Sequence, residues 1–201
     1  MKNRRLPMLM IALVLLMTLV PLTISYMLRR SPTMVNQFDP ANVSCKVEET
    51  FDKVKREKTS IAVKNTSNID AYIRLKIITY WEDSKGTVVA RASKPINFAL
   101  GADWIADPNE LNMYYYALPV KPGESTGELL GTVDGKKEKI VLDVVTKDVT
   151  DQASGVTITY TYYQVVEIMA EAIQSVPDKA VEDSWKVVVD DSTHHITQVN
   201  P

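Results

Sequence analysis

Alternation of apolar and polar residues in two stretches restricts the fold more than any other feature of the chain. Between residues 71 and 81, Ile73 and Leu75 share one parity, whereas Arg74 lies on the other. Residues 156–162 read Val-Thr-Ile-Thr-Tyr-Thr-Tyr, with a threonine at every second position. Successive side chains of a strand point to opposite faces of its sheet, and β-branched and aromatic residues favour strands. Both stretches therefore predict β-strands with one buried face.

Shorter alternating runs, separated by turn residues, predict further antiparallel strands. The block 59–91 is predicted to form a three-stranded antiparallel meander, because short alternating runs flank residues 71–81. Asp134-Gly135 is a strong hairpin-turn signal between two apolar runs. Many short strands about 8–12 residues apart are typical of β-sandwiches. The sequence thus predicts an all-β, Ig-like antiparallel β-sandwich domain over residues 31–190.

Five other segments give weaker signals. The charged run 53–58 is predicted to be solvated, and residues 148–154 are predicted to form a loop. Residues 163–174 fit both a helical stripe and a strand alternation, so the residues alone leave this segment open. Residues 179–185 predict one or two helical turns. Residues 191–201 are predicted to form a flexible C-terminal tail.

The polar stretch 65–70 is predicted to form a corner rather than a reactive site. Asn and Asp tolerate positive φ and bond their own backbone two residues further on, which makes tight turns. Asn65-Thr66-Ser67 and Asn42-Val43-Ser44 also match the N-glycosylation sequon. In a bacterial host these two matches would have no such meaning.

Residues 1–30 differ from the remainder of the chain. Residues 6–28 carry no charge, and they lie between basic residues at 2, 4 and 5 and the pair Arg29-Arg30. Roughly 20 apolar residues cross a bilayer as a helix. The segment is therefore either an export signal or a permanent membrane anchor. Both alternatives place the domain outside the cytoplasmic membrane, at the cell surface or in the extracellular space.

Charge and cysteine content exclude two classes of protein. Beyond Arg30 the chain has 18 Lys and Arg residues against 25 Asp and Glu residues, a net charge of about −7. Since no basic stripe is present, we expect no nucleic-acid partner. Cys45 is the single cysteine, so the fold depends on its core and not on an internal disulfide.

No motif predicts catalysis, and we assign no catalytic, cofactor-binding or metal-ligating residue. His194 and His195 are adjacent, so they cannot share one helix face as a zinc-binding pair does. Cys45 lies on an alternating run without a nearby histidine, which indicates a small buried residue. The acidic residues lack the closely spaced oxygen ligands of a calcium loop. We therefore expect a protein that is not an enzyme and needs no cofactor.

Tyrosines form two groups, at residues 114–116 and at Tyr160, Tyr162 and Tyr163. One interpretation is that one parity fills the core while the other covers a sheet by cross-strand pairing. The alternative is a face that binds carbohydrate or protein.

Several segments resemble a known family. They are VNQF, VSCKVEETFD, KTSIAVKNTSNIDAYIRLKIITYW, PVKPGEST, VEIMAEAIQ and AVEDSW. In this order they resemble the TasA- and camelysin-like proteins, which Gram-positive bacteria export with a SipW-dependent-type signal peptide. The likeness covers roughly residues 6–187, and none of these segments is a catalytic motif.

The resemblance implies a jelly-roll-like sandwich in which residues 163–174 form a strand. It also implies cleavage by a dedicated signal peptidase. Relatives assemble into extracellular fibres of the biofilm matrix or spore surface, in which the N-terminal segment of one subunit adds a strand to the next. Here residues 31–49 would be that donor strand, and its partner would be another copy or a related subunit.

The sequence thus predicts an exported structural protein of the cell surface, a subunit or accessory of fibres. One alternative is a monomeric surface-binding module, which residues 6–28 anchor in the membrane. A second alternative is a metal-dependent peptidase, since camelysin relatives have been called metalloproteases. The last would require His194 and His195 to bind a divalent metal.

Overall fold

The computed structural model describes residues 42–90 and 95–200, which belong to one compact unit, Ala41–Pro201. The apolar segment 6–28 and most of the expected donor strand lie outside these residues. The described chain forms strands and one short helix. The strands are β1 (Cys45–Asp52), β2 (Glu57–Asn65), β3 (Ala71–Asp83), β4 (Val88–Ala90), β5 (Trp104–Ala106), β6 (Met113–Tyr116), β7 (Thr132–Val133), β8 (Lys136–Lys137), β9 (Ile140–Val141), β10 (Val144–Thr150), β11 (Thr157–Gln174), β12 (Val187–Val189) and β13 (Ile196–Val199), and the helix is α1 (Lys179–Trp185).

Two antiparallel sheets form the body of the described chain. The first has the strand order β1-β2-β9, and the second has the order β10-β11-β3-β6-β5, with β4 also paired to β3. Two small hairpins, β7-β8 and β12-β13, complete the strand pairing. The prediction of an all-β, antiparallel fold is confirmed.

The main core lies where the apolar faces of the two sheets meet. The alternation in β3 places Ile73, Leu75 and Ile77 in this core with at most 1% exposure. They pack with Ile61 and Val63 of β2 on the other sheet. Burial of each such side chain contributes about 2 kcal/mol. The parity of the sequence therefore identified the buried face of β3 correctly.

A second core lies on the opposite face of the six-stranded sheet. Tyr72 of β3 is fully buried there, although Ile73, the next residue of the strand, lies in the main core. The covering elements are α1 and the hairpin β12-β13. The buried members of this core are Tyr72, Met113, Tyr115, Val181, Trp185, Val187, Val189, Ile196 and Val199.

The predicted flexible tail at 191–201 is wrong for the described residues. Ile196–Val199 is a strand that pairs with Val187–Val189, and Ile196 is only 2% exposed. Ile196 N also donates to the carbonyl of Ala117, 2.8 Å away. The C-terminal residues are ordered because their apolar side chains close the second core.

The predicted meander over residues 59–91 is half right. β3 and β4 form the expected antiparallel hairpin, but β2 and β3 belong to different sheets. Residues 65–70 therefore carry the chain from one sheet to the other. The open side of β2 is covered instead by residues 124–129, whose Thr126 N donates to Val63 O at 2.9 Å.

Asn65 holds this corner together from inside the protein. Asn65 is fully buried, and its side-chain Nδ2 donates to the carbonyls of Ile69 at 2.9 Å and Val120 at 2.7 Å. Its Oδ1 accepts the main-chain N–H of Ser67 at 2.8 Å. The Ser67 hydroxyl in turn donates to Ser44 O at 3.0 Å. The corner has a geometric role, as its turn chemistry predicted.

Of the remaining secondary-structure predictions, three agree with the structure and one is partly wrong. Residues 163–174 belong to the strand β11, as the resemblance implied, because alternate residues such as Ile168 pack against the main core. The helix at 179–185 and the turn at Asp134-Gly135, with φ of 50° and 74°, are also as predicted. The predicted loop at 148–154 is partly wrong, because β10 continues to Thr150.

Candidate functional site

Strand β11 is longer than the strand beside it, and this difference leaves an open edge. It pairs with β3 from Tyr162 to Gln174, but with β10 only from Thr157 to Tyr163. Beyond Gln164, the side of β11 that faces away from β3 has no strand partner among the described residues.

The alternation of an antiparallel ladder shows which main-chain groups face this open edge. Gln164 N donates to Asp143 O at 2.9 Å, on the side away from β3. Every second residue points its N–H and C=O to the same side. Val166, Ile168, Ala170 and Ala172 therefore direct theirs to the open edge. No hydrogen bond joins these groups to any other residue in the described part of the chain.

Strand β1 runs beside this edge in the opposite direction to β11. The Cys45 thiol lies near the Glu171 carboxylate at one end, and Phe51 and Val166 line a common pocket at the other. No ladder joins the two strands. We call the space between residues 45–51 and residues 166–172 the slot.

Side chains at the slot are apolar and only partly covered. Cys45 and Val47 of β1 and Ile168, Ala170 and Ala172 of β11 pack against the main core without full burial. Burial and then the neighbouring Glu171 carboxylate raise the pKa of Cys45. The thiol therefore stays protonated at neutral pH and acts here as a small apolar group.

A pocket of about 260 Å³ opens at the Phe51 end of the slot. Its lining includes Phe51, Arg56, Lys58, Leu142, Val165 and Val166. Arg56 donates to Gln164 O at 2.7 Å, and its guanidinium carbon lies 5.1 Å from the centre of the Tyr163 ring. Its buried Nε has no hydrogen-bond partner, and no described carboxylate forms an ion pair with it. The pocket thus combines apolar walls with a cation that has no counter-ion within residues 42–90 and 95–200.

The charged run at 53–58 was predicted to be solvated, and this is wrong for part of it. Lys58 is only 5% exposed, and Arg56 is half-buried. Their role in the pocket was missed because the partner of Arg56 is 108 residues away in the sequence. The only sign of this role in the sequence was that Lys58 lies within the alternating run 57–63.

The second open edge, on β10, differs in its chemistry. All of β10 is exposed, and Lys147 and Asp148 stand in the middle of the strand. Charged residues on an edge oppose pairing with another strand. The slot stretch of β11 also carries two charged residues, Glu167 and Glu171, and they alternate with the uncharged residues 166, 168, 170 and 172, whose main-chain groups face the slot. The side chains level with the slot edge are the more apolar of the two sets, but the Cα atoms of β1 approach those of β11 within 8 Å, so a strand can add at the slot only after β1 moves away.

The six-stranded sheet also has an uncovered apolar area beyond the main core, which we call the wing face. It consists of Trp81, Val145, Val149, Ile158, Tyr160 and Tyr162, and includes a groove of about 420 Å³. The rings of Tyr160 and Tyr162 are 6.5 Å apart and nearly parallel, at 12°.

The two tyrosine groups have different positions. Tyr114 and Tyr116 are buried in the main core, and Tyr115 is buried in the second core, where it lies 5.9 Å from the ring of Trp185. These three residues form no exposed face. Only the group at 160–163 retains a surface that a ligand could contact.

His194 and the asparagines of the two sequons make contacts within the fold. His194 Nδ1 lies 2.7 Å from Asp178 Oδ2, and the His194 carbonyl accepts from the Tyr72 hydroxyl at 2.7 Å. Among the described residues, no group of three or more His, Cys, Asp or Glu side chains could hold a metal ion. The Asn65 amide is buried, and Asn42 N donates to Asn68 Oδ1 at 2.9 Å.

No protein-family model, curated protein or solved structure matches the chain. Across residues 42–90 and 95–200, no helix has both the length and the apolar character that crossing a membrane requires.

Proposed function

We propose that this protein is an exported structural subunit of extracellular fibres, which assembles by β-strand addition. The observation that carries the proposal is the open edge of β11 at the slot. Unpaired main-chain groups on a sheet edge are a template for another strand. Once β1 moves away from this edge, an added strand gains main-chain hydrogen bonds there, and its alternate side chains cover the partly buried residues of the slot.

The fold proposed with this function is a jelly-roll-like sandwich of the TasA- and camelysin-like type. The sequence resemblance supports it, together with two antiparallel sheets that share one apolar core. The same resemblance supports release by a dedicated signal peptidase after residues 6–28 have directed export. The mature protein then resides at the cell surface or in the biofilm matrix.

The donor segment is shorter than the sequence suggested. Residues 45–49 of the expected donor already pair with β2 in the same subunit, since Cys45 lies opposite Asn65 and Glu49 opposite Ile61. Ser44 also bonds the corner through Ser67. A donor strand that leaves its own subunit intact therefore comes from residues 31–41.

A pair of proline substitutions tests which edge is used. Ala170→Pro removes an N–H that faces the slot, and Thr146→Pro removes one that faces the open side of β10. Neither position donates to a ladder, because residues 145, 147 and 149 face β11. In purified residues 26–201, Ala170→Pro should abolish filaments in electron micrographs, whereas Thr146→Pro should leave them intact. Equal effects of the two folded variants would contradict the proposal.

The wing face favours a second candidate function, a monomeric surface-binding module anchored through residues 6–28. Its parallel tyrosine rings and the groove beside Trp81 offer a ligand surface. N-terminal sequencing of the protein recovered from cells separates the two functions. A chain that begins at Met1 and stays monomeric supports the binding module, whereas a shorter chain in filaments supports the fibre subunit.

A further inference from the structure

The pocket at the Phe51 end of the slot has walls from both sides of the slot. Phe51 belongs to β1, Leu142 comes shortly before β10, and Val165 and Val166 belong to β11. Its volume of about 260 Å³ is slightly below the range of about 300–1,000 Å³ that is usual for ligand sites. The Cα atoms of β1 approach those of β11 within 8 Å along the slot, which excludes a further strand between them. The space therefore suits a small molecule and not a peptide.

Arg56 gives this pocket a positive charge that no other described residue neutralises. It lies in the turn between β1 and β2, with a φ of 54°. Its Nη2 donates to Gln164 O of β11 at 2.7 Å, and its guanidinium carbon lies 5.1 Å from the centre of the Tyr163 ring. Its other N–H donors bond no described residue, and Nε is buried. A partly buried guanidinium without an anion costs stability, so a ligand that brings an anion is favoured.

The second cation of the pocket is already neutralised. Lys58 also lines the pocket, but its ammonium lies 2.5 Å from the Glu49 carboxylate. The charge of Arg56 therefore remains, and one monovalent anion balances it. A carboxylate suits a guanidinium, because its two oxygens can accept parallel N–H bonds. The apolar walls require that the rest of the ligand be apolar.

We propose that this pocket binds a small carboxylate with an apolar body, such as a medium-chain fatty acid. The carboxylate bonds Arg56, and the apolar chain lies against Phe51, Leu142 and Val166. Because these walls belong to both sides of the slot, the ligand holds the β1-β2 hairpin against β11. Binding at this site requires only the folded subunit.

Calorimetric titration with three ligands tests both parts of this requirement on the unsubstituted protein. Residues 26–201, which include the whole compact unit Ala41–Pro201, should bind one octanoate per chain with a Kd below about 1 mM. 1-Octanol lacks the charge and acetate lacks the chain, so each should bind at least about tenfold more weakly. Equal binding of 1-octanol and octanoate, or no binding of octanoate, would overturn the proposal.

Two matched substitutions locate the site. Arg56→Gln retains a long polar side chain but loses the charge, and it should weaken octanoate binding at least about tenfold. Lys147→Gln removes the cation beside the groove of the wing face, and it should change the Kd less than about twofold. Thermal unfolding shows whether both variants fold. Loss of binding in Lys147→Gln, with binding kept in Arg56→Gln, would place the ligand on the wing face and reject the pocket.

Hydrogen exchange locates the ligand without any substitution. Octanoate should slow amide exchange at residues 53–58, in the hairpin turn, and at residues 164–166 of β11. Residues 157–160 of the wing face should exchange at an unchanged rate. Slower exchange on the wing face alone would reject the pocket.

A ligand that holds β1 in place also affects assembly, and this consequence rests on the proposed function. A strand can add at the slot only after β1 moves away. At ten times its Kd, octanoate should reduce the population with β1 displaced about tenfold, and filament growth should slow in wild type but not in Arg56→Gln. Wild-type protein that forms no filaments contradicts the proposed function and leaves the binding results unaffected. Filament growth that bound octanoate does not slow would overturn its role in holding β1.

Discussion

The ammonium group of Lys58 lies 2.5 Å from the carboxylate of Glu49, and this ion pair joins β2 to β1 beside the slot. The Lys58 side chain is 6% exposed and the Glu49 side chain 36%. The Phe51 ring also lies 5.7 Å from the Lys58 ammonium. A buried lysine is thus held by one carboxylate that solvent can still reach.

Removal of the carboxylate should destabilise the protein more than removal of the lysine. Glu49→Gln leaves a buried ammonium without its counter-charge, so we expect a loss of about 2 kcal/mol in the free energy of unfolding. Lys58→Met leaves the half-exposed Glu49 free to hydrate and should cost about half as much. Urea denaturation measures both. An equal or larger loss for Lys58→Met would contradict this account.

Loss of the Asn65 amide should weaken the corner between the two sheets. Asn65→Ala leaves the carbonyls of Ile69 and Val120 without their donor, and we expect a loss of about 3 kcal/mol in unfolding free energy. The matched control is Thr66→Ala, which removes an exposed hydroxyl and should cost less than about 1 kcal/mol. Similar losses in the two variants would mean that the buried hydrogen bonds contribute little.

The C-terminal strand should contribute to stability, in contrast to a flexible tail. Ile196→Ala creates a cavity in the second core and should cost about 3 kcal/mol. Thr197→Ala, at the exposed next position, should cost less than about 1 kcal/mol. Trp185 lies in the same core, so its fluorescence should report the change. An Ile196→Ala variant with wild-type stability would show that this strand is dispensable.

Alkaline pH should destabilise the protein through its buried tyrosines. Burial, followed by the charge of Asp178, raises the pKa of Tyr72, and burial raises the pKa values of Tyr114 and Tyr115. The unfolded chain loses these protons near pH 10, whereas the folded chain retains them. The unfolded state then binds fewer protons, so the free energy of unfolding falls as pH rises above about 10.

Tyr72→Phe tests this alkaline effect, because it removes one of the three groups. Urea denaturation at several pH values should show a shallower loss of stability above about pH 10 than in the wild type. The variant also loses the hydrogen bond to the His194 carbonyl, so its stability at neutral pH is expected to be lower. An unchanged slope would exclude Tyr72 from the alkaline transition.

Local sequence patterns were sufficient to predict the buried face of a strand and the position of a tight turn. The parity of Ile73 and Leu75 identified a buried face, and Asp134-Gly135 identified a turn, because both depend on neighbours in sequence. The corner shows the limit of such patterns. Turn residues specify that the chain bends at 65–70, but the bond from Asn65 to Val120 decides that the next strand enters a different sheet.

Long-range contacts explain the other failures. In β13 the buried residues are Ile196 and Val199, three positions apart, so no alternation marks the strand. The slot depends on the unequal lengths of β10 and β11, and its pocket depends on a contact between Arg56 and Gln164. Residues 45–49, predicted as part of a donor strand, pair with β2 of their own subunit, and alternation alone does not tell which sheet a strand joins.

Tyr72 and Ile73 are neighbours in β3, yet their side chains lie in different cores. The same ladder of β3 with β11 passes between those cores along all 13 residues of β3. A fluctuation that separates these two strands therefore exposes both cores at once. We expect calorimetry to show one cooperative transition, without an intermediate that keeps either core intact.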